Sequence, residues 1–320
     1  DSVGMMNGLQ YYYGEVNQRI VRLFIDEVSG FVYKPFSKNT RIELGVSANW
    51  YSFGVKEYPQ YGLIGFKDTI VVDFQPEYSG KPKKLDASEL KYKGFNLGQA
   101  YVALVGDNTT FGTTAPLNGY RYRLELAKFI GSTSYNSILL DGRKYKYLKP
   151  FTFAGRFMYN GRLNPSNLEL LNKINPLYLG YPWNMHGFWG NALSKQTGFI
   201  TQENLQGEQM ALANFEIRLP FTGPEKLALF KFDYLPSDLN FFVDAGQIWS
   251  ASNKPGQTNE FPTFASKALK FKNSPIVTTG LSIRVNVLGY LVLEPYFAIP
   301  YYNGKKQNVV SGMNFMVPGW

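Results

Sequence analysis

The chain is predicted to be all-β, a transmembrane antiparallel β-barrel, from three observations. The first is alternation. Arg41 to Trp50 puts Ile42, Leu44, Val46, Ala48 and Trp50 on one face and Arg41, Glu43, Ser47 and Asn49 on the other. Tyr120 to Leu126 sets Tyr120, Tyr122, Leu124 and Leu126 against Arg121, Arg123 and Glu125, and Asn214 to Leu219 sets Phe215, Ile217 and Leu219 against Asn214, Glu216 and Arg218. Successive side chains of a strand point to opposite faces, so each stretch has one apolar and one charged side. The second observation is hydropathy. No run approaches the roughly 18 consecutive apolar residues of a spanning helix, and the mean hydropathy is −0.23. A membrane chain of this kind crosses only as a closed sheet that satisfies its own backbone groups. The third is the aromatic load, 17% of 320 residues with 23 Tyr and 25 Phe, which suits girdles at the two lipid interfaces. A large soluble all-β protein is the alternative that composition leaves open.

Strands are predicted near residues 8–16, 20–34, 39–53, 97–107, 118–130 and 135–147. Others fall near 151–162, 209–220, 238–248, 277–287, 290–299 and 308–317, about 12 in all, with lengths close to the roughly 9–11 residues of a tilted spanning strand. Short turns are expected at Lys34 to Lys38, Tyr147 to Pro150 and Asn286 to Tyr290, and long connections at 54–96, 163–208 and 249–276. That alternation in length matches short periplasmic turns and long outer loops. The segment Phe221 to Asp238 falls on the periplasmic side and breaks the short-turn rule. Loop 163–208 carries Tyr181-Pro182-Trp183, Phe188 and Trp189, too aromatic for a solvated tether, so it is expected to fold against the barrel interior. No linker or internal repeat interrupts residues 1–320, which read as one barrel domain.

Several functions are disfavoured by counting. There is no Cys and a single His, so disulfides, thiol nucleophiles and His/Cys metal sites are not expected, and neither is a cofactor. No Gly-x-Ser-x-Gly elbow accompanies His186, so no catalytic residue is assigned and the chain is not read as an enzyme. The formal charge of +9 could suit a polyanion, but aromatics and arginines lie on opposite strand faces, unlike a nucleic-acid surface. Lysines in loops facing lipid head groups, or simply water, account for it. Asp1-Ser2-Val3-Gly4 lacks the features of a secretory signal, so an exported protein of this sequence is either mature or a segment of something longer.

Three stretches in order carry a resemblance to one family. Gly180-Tyr181-Pro182-Trp183-Asn184-Met185-His186-Gly187-Phe188 resembles the Val-Arg-Gly-Phe/Tyr motif at the tip of the sixth outer loop in BamA-like barrels, the bacterial surface antigen superfamily. Phe241-Phe242-Val243-Asp244-Ala245-Gly246 resembles that family's Phe-x-Asp-x-Gly strand, and Gly312, Phe315, Val317 and Trp320 its C-terminal insertion signal. Ala213 to Pro220 is also typical, and Tyr33-Lys34-Pro35-Phe36, Gly119-Tyr120-Arg121 and Asp141-Gly142-Arg143 resemble barrels that follow a TolB-like propeller in Gram-negative bacteria. The resemblance implies the bacterial outer membrane, lipid and other outer-membrane or periplasmic proteins as partners, and a role in protein insertion or translocation or in anchoring a periplasmic domain. It implies a 16-stranded barrel of which these are the last strands; a free-standing smaller barrel is the alternative. It also implies that Met185, His186, Gly187 and Phe188 lie in the lumen with Asp244 and Gly246 as partners of the loop tip. His186 stands where the family has Arg, so the clamp to Asp244 is expected to be weaker and sensitive to pH. A plugged structural scaffold, or a porin-like channel lined by Arg121, Arg123, Arg156 and Arg284, are the competing readings.

Overall fold

The computed structural model describes residues 2–6, 9–67, 70–88, 93–167, 170–171, 176–188, 205–249, 275–302 and 305–316. In chain order its strands are β1 (Ser2–Met6), β2 (Leu9–Ser37), β3 (Thr40–Lys67), β4 (Ile70–Ser79), β5 (Lys83–Leu85), β6 (Phe95–Asp107) and β7 (Thr110–Phe111). There follow β8 (Pro116–Gly131), β9 (Tyr135–Leu148), β10 (Phe151–Leu163), β11 (Leu177–Tyr178), β12 (Gln206–Gly207), β13 (Gln209–Gly223) and β14 (Phe230–Lys231). The last are β15 (Ser237–Trp249), β16 (Ile276–Val287), β17 (Leu291–Tyr302), β18 (Lys305–Lys306) and β19 (Val310–Met316). The chain divides into two units, Asp1–Ser29 with Ser47–Gly98, and Gly30–Val46 with Gln99–Trp320.

The smaller unit pairs β1 with β2 and β3 with β4 and β5, all antiparallel. The expected strands at 8–16 and 20–34 are one strand here. Their supposed gap, Asn17-Gln18-Arg19, is polar because Arg19 donates to Glu57 across the sheet at 2.8 Å, not because the chain turns. The expected connection 54–96 is likewise largely sheet. Pro59, Gly62 and Gly65 interrupt its apolar pattern, but register shifts at Tyr61/Gly62 and Gly65/Phe66 absorb them as bulges. Tyr61 stacks on Tyr78 and the Tyr11 hydroxyl donates to Asp73 at 2.7 Å.

The larger unit is an antiparallel meander in which β8, β9, β10, β13, β15, β16, β17 and β19 each pair with the next. β6 joins β8, and β3 joins β6. Its short turns lie at one end: Lys38-Asn39, Lys149-Pro150 and Leu288 to Tyr290. In the last, Leu288 and Gly289 both have positive φ, and Tyr290 N–H donates to Val287. That is the twist that matches a tight hairpin. The expected connection 249–276 lies mostly outside the described residues.

Polarity is inverted relative to a soluble sandwich. Phe215, Leu281 and Phe297 are 44%, 61% and 67% exposed, whereas Asp244 and Glu294 are each 1% exposed. The charged face is concave. The β6–β8 connection reaches over it: Thr114 bonds Asp238 on β15, Pro116 C=O accepts from Arg218 on β13 at 3.2 Å, and Thr113 C=O accepts from Asn286. Strands β9, β10, β13 and β15 separate β8 from β16 in the ladder, so these contacts require the sheet to curl. If the outward face meets hydrocarbon, Phe215→Arg and Leu281→Arg are each expected to cost about 2–4 kcal/mol in bilayer-embedded unfolding titrations; on a water-facing sheet such changes stay within about 0.5 kcal/mol.

Candidate functional site

Residues 176–188 and 205–208 form a loop lying on the concave face. Its base is closed by the β11–β12 ladder, Leu177 opposite Gly207 and Tyr178 opposite Gln206, and by Leu179 N–H donating to Leu205 at 2.9 Å. The tip then turns tightly, with Asn184 and Met185 N–H both donating to Tyr181 C=O at 2.8 and 3.0 Å. Two further bonds hold the turn: Asn184 Nδ2 to Tyr178 C=O at 3.1 Å, and Tyr178 hydroxyl to Phe188 C=O at 2.9 Å. Gly187 has φ of +91°, which a side chain would strain, and a Cβ there would sit 3.1 Å from Val310 Cγ2.

Around the base and tip, Tyr178, Leu179, Met185, Phe188 and Leu205 pack with Met158, Met210, Leu212, Ile248 and Ile276 from the wall. These wall residues lie in the loop-end halves of their strands. Gly246 belongs to the same row of β15; a Cβ on it would lie 2.7 Å from both Leu179 Cδ1 and Met185 Sδ. The loop can therefore press onto this strand only where it lacks a side chain.

Below the apolar layer the contacts become polar. His186 N–H donates to Asp244 Oδ2 at 3.0 Å, and its ring Nδ1 lies 2.8 Å from the same oxygen. Asn214 Nδ2 bonds both Asp244 Oδ1 and Asn184 C=O at 2.8 Å. The imidazole stacks on Phe242 with centroids 3.9 Å apart and meets Tyr296 edge-on. Its Nε2 lies 3.5 Å from Glu294 Oε2, an ion pair too long for a strong hydrogen bond. Burial alone would lower the His186 pKa, but the Asp244 and Glu294 carboxylates outweigh it and push it up to about 10. Both ring nitrogens thus carry protons at neutral pH.

Sequence reasoning overlooked Glu294 and Tyr296 on β17. The signal was there, since Glu294 is a single carboxylate in the apolar run Leu291 to Pro300. Glu294 also accepts from Ser282 and Arg284 at 2.8 and 2.9 Å, and from Asn314 on β19 at 3.4 Å. Arg284 continues to both oxygens of Glu216 at 2.9 Å, and Arg218 closes the row on Glu216 at 2.6 Å. Gly187 N–H donates to the Tyr296 hydroxyl at 3.2 Å, and the Tyr296 ring covers Gly312 of β19. Phe315 points outward and is exposed, while Val317 and Trp320 lie outside the described residues.

The arginines proposed to line an open channel are all engaged. Arg121 pairs with Asp107, Arg123 with Glu43 and Glu125, and Arg156 with Asp141 and the Trp183 carbonyl; Arg284 pairs as above.

No protein-family model and no curated relative matches the chain. Among solved structures it is similar to BamA from Haemophilus ducreyi lacking POTRA domains 1–3, at 11% identity and a TM-score of 0.47, covering 96% of this chain and 64% of that one. It is also similar to CdiB from Acinetobacter baumannii, at 12% identity and a TM-score of 0.31, covering 97% of this chain and 60% of that one. The chain thus spans less than two thirds of the length of either. The fold assignment rests on the chain's own strand pairing.

Two outcomes follow for His186. His186→Ala leaves Asp244 buried without its cation and Glu294 with Arg284 alone, a loss of about 3–5 kcal/mol, seen as a lower melting temperature and faster amide exchange in peptide 178–188. The folded pKa lies above the ordinary value of 6.5, so the stabilisation is complete below pH 6.5, declines above it and is gone once pH passes about 10. Exchange of the His186 and Gly187 amides across that range is the check.

Proposed function

We propose that this chain is the barrel of a BamA-like outer-membrane protein that inserts or translocates other proteins, with its loop tip acting as a lock on the last strands. One observation carries the reading: His186 sits between Asp244 of β15 and Glu294 of β17, with Gly187 against Val310 of β19. A loop tip that braces three strands of the wall at once controls how freely the terminal strand can part from a neighbour. An unpaired strand edge templates an incoming strand by backbone hydrogen bonding. Among the described residues β19 pairs with β17 from Val310 to Met316, the stretch that such a release would have to open. Under the same resemblance a periplasmic domain is the expected partner; POTRA repeats would favour this reading and a propeller the scaffold.

A plugged scaffold is the second reading, favoured by the β6–β8 connection bonded across the concave face at the turn end. It retains the membrane location and removes the moving part. A porin-like channel is the weakest, since the arginines it needs free are all paired.

The chain has no Cys, so Asn184→Cys with Asn214→Cys, positions joined by the 2.8 Å bond from Asn214 Nδ2 to Asn184 C=O, gives a single engineered disulfide between loop and wall. In vesicles carrying the full-length protein, insertion of an unfolded outer-membrane barrel should stop when this disulfide forms and resume on reduction. Equal insertion in both states overturns the lock, and no insertion in either favours the scaffold. Large stable conductance steps in planar bilayers would instead establish a channel.

A further inference from the structure

The connection between β13 and β15, residues 224–236, breaks the short-turn rule, and it is firmly built. β14 runs parallel to the end of β13, Phe230 opposite Thr222 and Lys231 opposite Gly223. Leu229 N–H donates to Pro220 at 3.1 Å, Phe232 N–H to Gly223 at 3.1 Å, and Leu227 and Ala228 N–H both to Pro224 at 2.9 Å. Thr222 hydroxyl holds Leu235 C=O at 2.7 Å. Asn286 N–H donates to Pro236 C=O at 2.9 Å, tying this segment to the turn of β16 and β17.

A segment with so many backbone bonds would ordinarily tuck its apolar side chains under itself. This one turns them outward. Leu229, Phe230 and Phe232 are exposed, as is Leu288 on the adjoining turn, and the tips are Tyr234 and Tyr290 at 81% and 83% exposed. The patch continues the outward face of β13. Phe215, Ile217, Leu219 and Phe221 succeed one another in its alternation, and the Phe230 ring meets Phe221 edge-on at 5.2 Å. Exposed contiguous apolar surface of this kind marks a contact face.

We infer that residues 224–236 and the turn 288–290 form a shelf seated in the head-group layer of the phospholipid leaflet at the turn end. This rests on the reading of the strand exterior as lipid-facing. Three features choose lipid over a protein partner. The shelf is continuous with the apolar strand exterior. Its backbone groups are bonded internally, so it offers side chains and not a ladder. Its outermost residues are tyrosines, whose apolar ring and polar hydroxyl suit the zone between acyl chains and water. The charges within 224–236 balance, Lys226 and Lys231 against Glu225 and Asp233, and Lys231 lies 3.4 Å from Glu225. The shelf therefore fits zwitterionic head groups, and its seating should be indifferent to salt.

The absence of Cys allows unique labelling. Tyr234→Cys and Tyr290→Cys, carrying an environment-sensitive fluorophore, would be compared with Phe215→Cys in phosphatidylcholine vesicles holding the full-length protein. The Phe215 position should be quenched by a spin label on the mid acyl chain. The Tyr234 and Tyr290 positions should be quenched by a head-group spin label, be shielded from aqueous iodide and show no change with added salt. If Phe215→Cys is lipid-quenched but the two shelf positions are open to iodide, the shelf faces water or a protein and the inference is overturned while the barrel stands. If Phe215→Cys is itself quenched by iodide alone, the lipid-facing reading of the strands fails first.

Discussion

A carboxylate sealed from water needs a counter-charge, and the inner face of this sheet carries several. Glu216, Asp244 and Glu294 lie on β13, β15 and β17, and each is matched by a cation or by directed N–H groups. Glu216 has Arg218 and Arg284, Glu294 has Arg284 and His186, and Asp244 has His186 and Asn214. The rest of the larger unit is arranged to make that pairing possible. The sheet must curl, the loop must come back onto it, and glycines must stand where loop and wall meet. Removing one partner from such a set is far more damaging than its net contribution suggests, because the remaining charge keeps its desolvation cost.

The energy that seats the loop and the contacts that position it come from different sources. Five buried apolar residues of the loop pack against five of the wall, and burial of a single Leu or Met stabilises by roughly 1.5–3 kcal/mol. Buried ion pairs are close to neutral on balance. The apolar layer therefore supplies most of the docking free energy, while His186 selects which strands the tip engages. Because Glu294 bonds Asn314 and Tyr296 covers Gly312, that selection extends to the last strand. A change at the loop tip is then felt at β19 without a long relay.

Histidine at this position alters the chemistry in a definite way. An arginine fork can take a carboxylate bidentately and stays charged at any accessible pH. The imidazole is shorter and flat, and it gains its place by stacking on Phe242 while presenting one nitrogen to each of two carboxylates. The expected pH sensitivity lies above the ordinary range of a histidine, because the second carboxylate, Glu294, reinforces the first. At physiological pH the tip is held by a cation, as it would be with arginine.

The strand pattern was legible because period-two alternation is a local property. Phe215, Ile217 and Leu219 had to share a face, and Glu216 and Arg218 the other, whatever the sheet did next. Strand ends were harder to see. Asn17 to Arg19 looks like a break until Glu57 is brought opposite Arg19, and Pro59 and Gly62 look like a loop until bulges accommodate them. The single His stood out by count, whereas its pairing with the Asp244-x-Gly246 strand was implied only by the family resemblance. By itself, then, the sequence determined which residues alternate, which faces are charged and where a loop too aromatic for solvent must fold back. Only the tertiary structure decided that His186 meets Glu294 as well as Asp244, that the tip reaches β19, and that the segment after β13 bonds its own backbone and turns its aromatic side chains outward. Those outcomes depend on curvature and register between strands far apart in the chain, and no local pattern of residues encodes them.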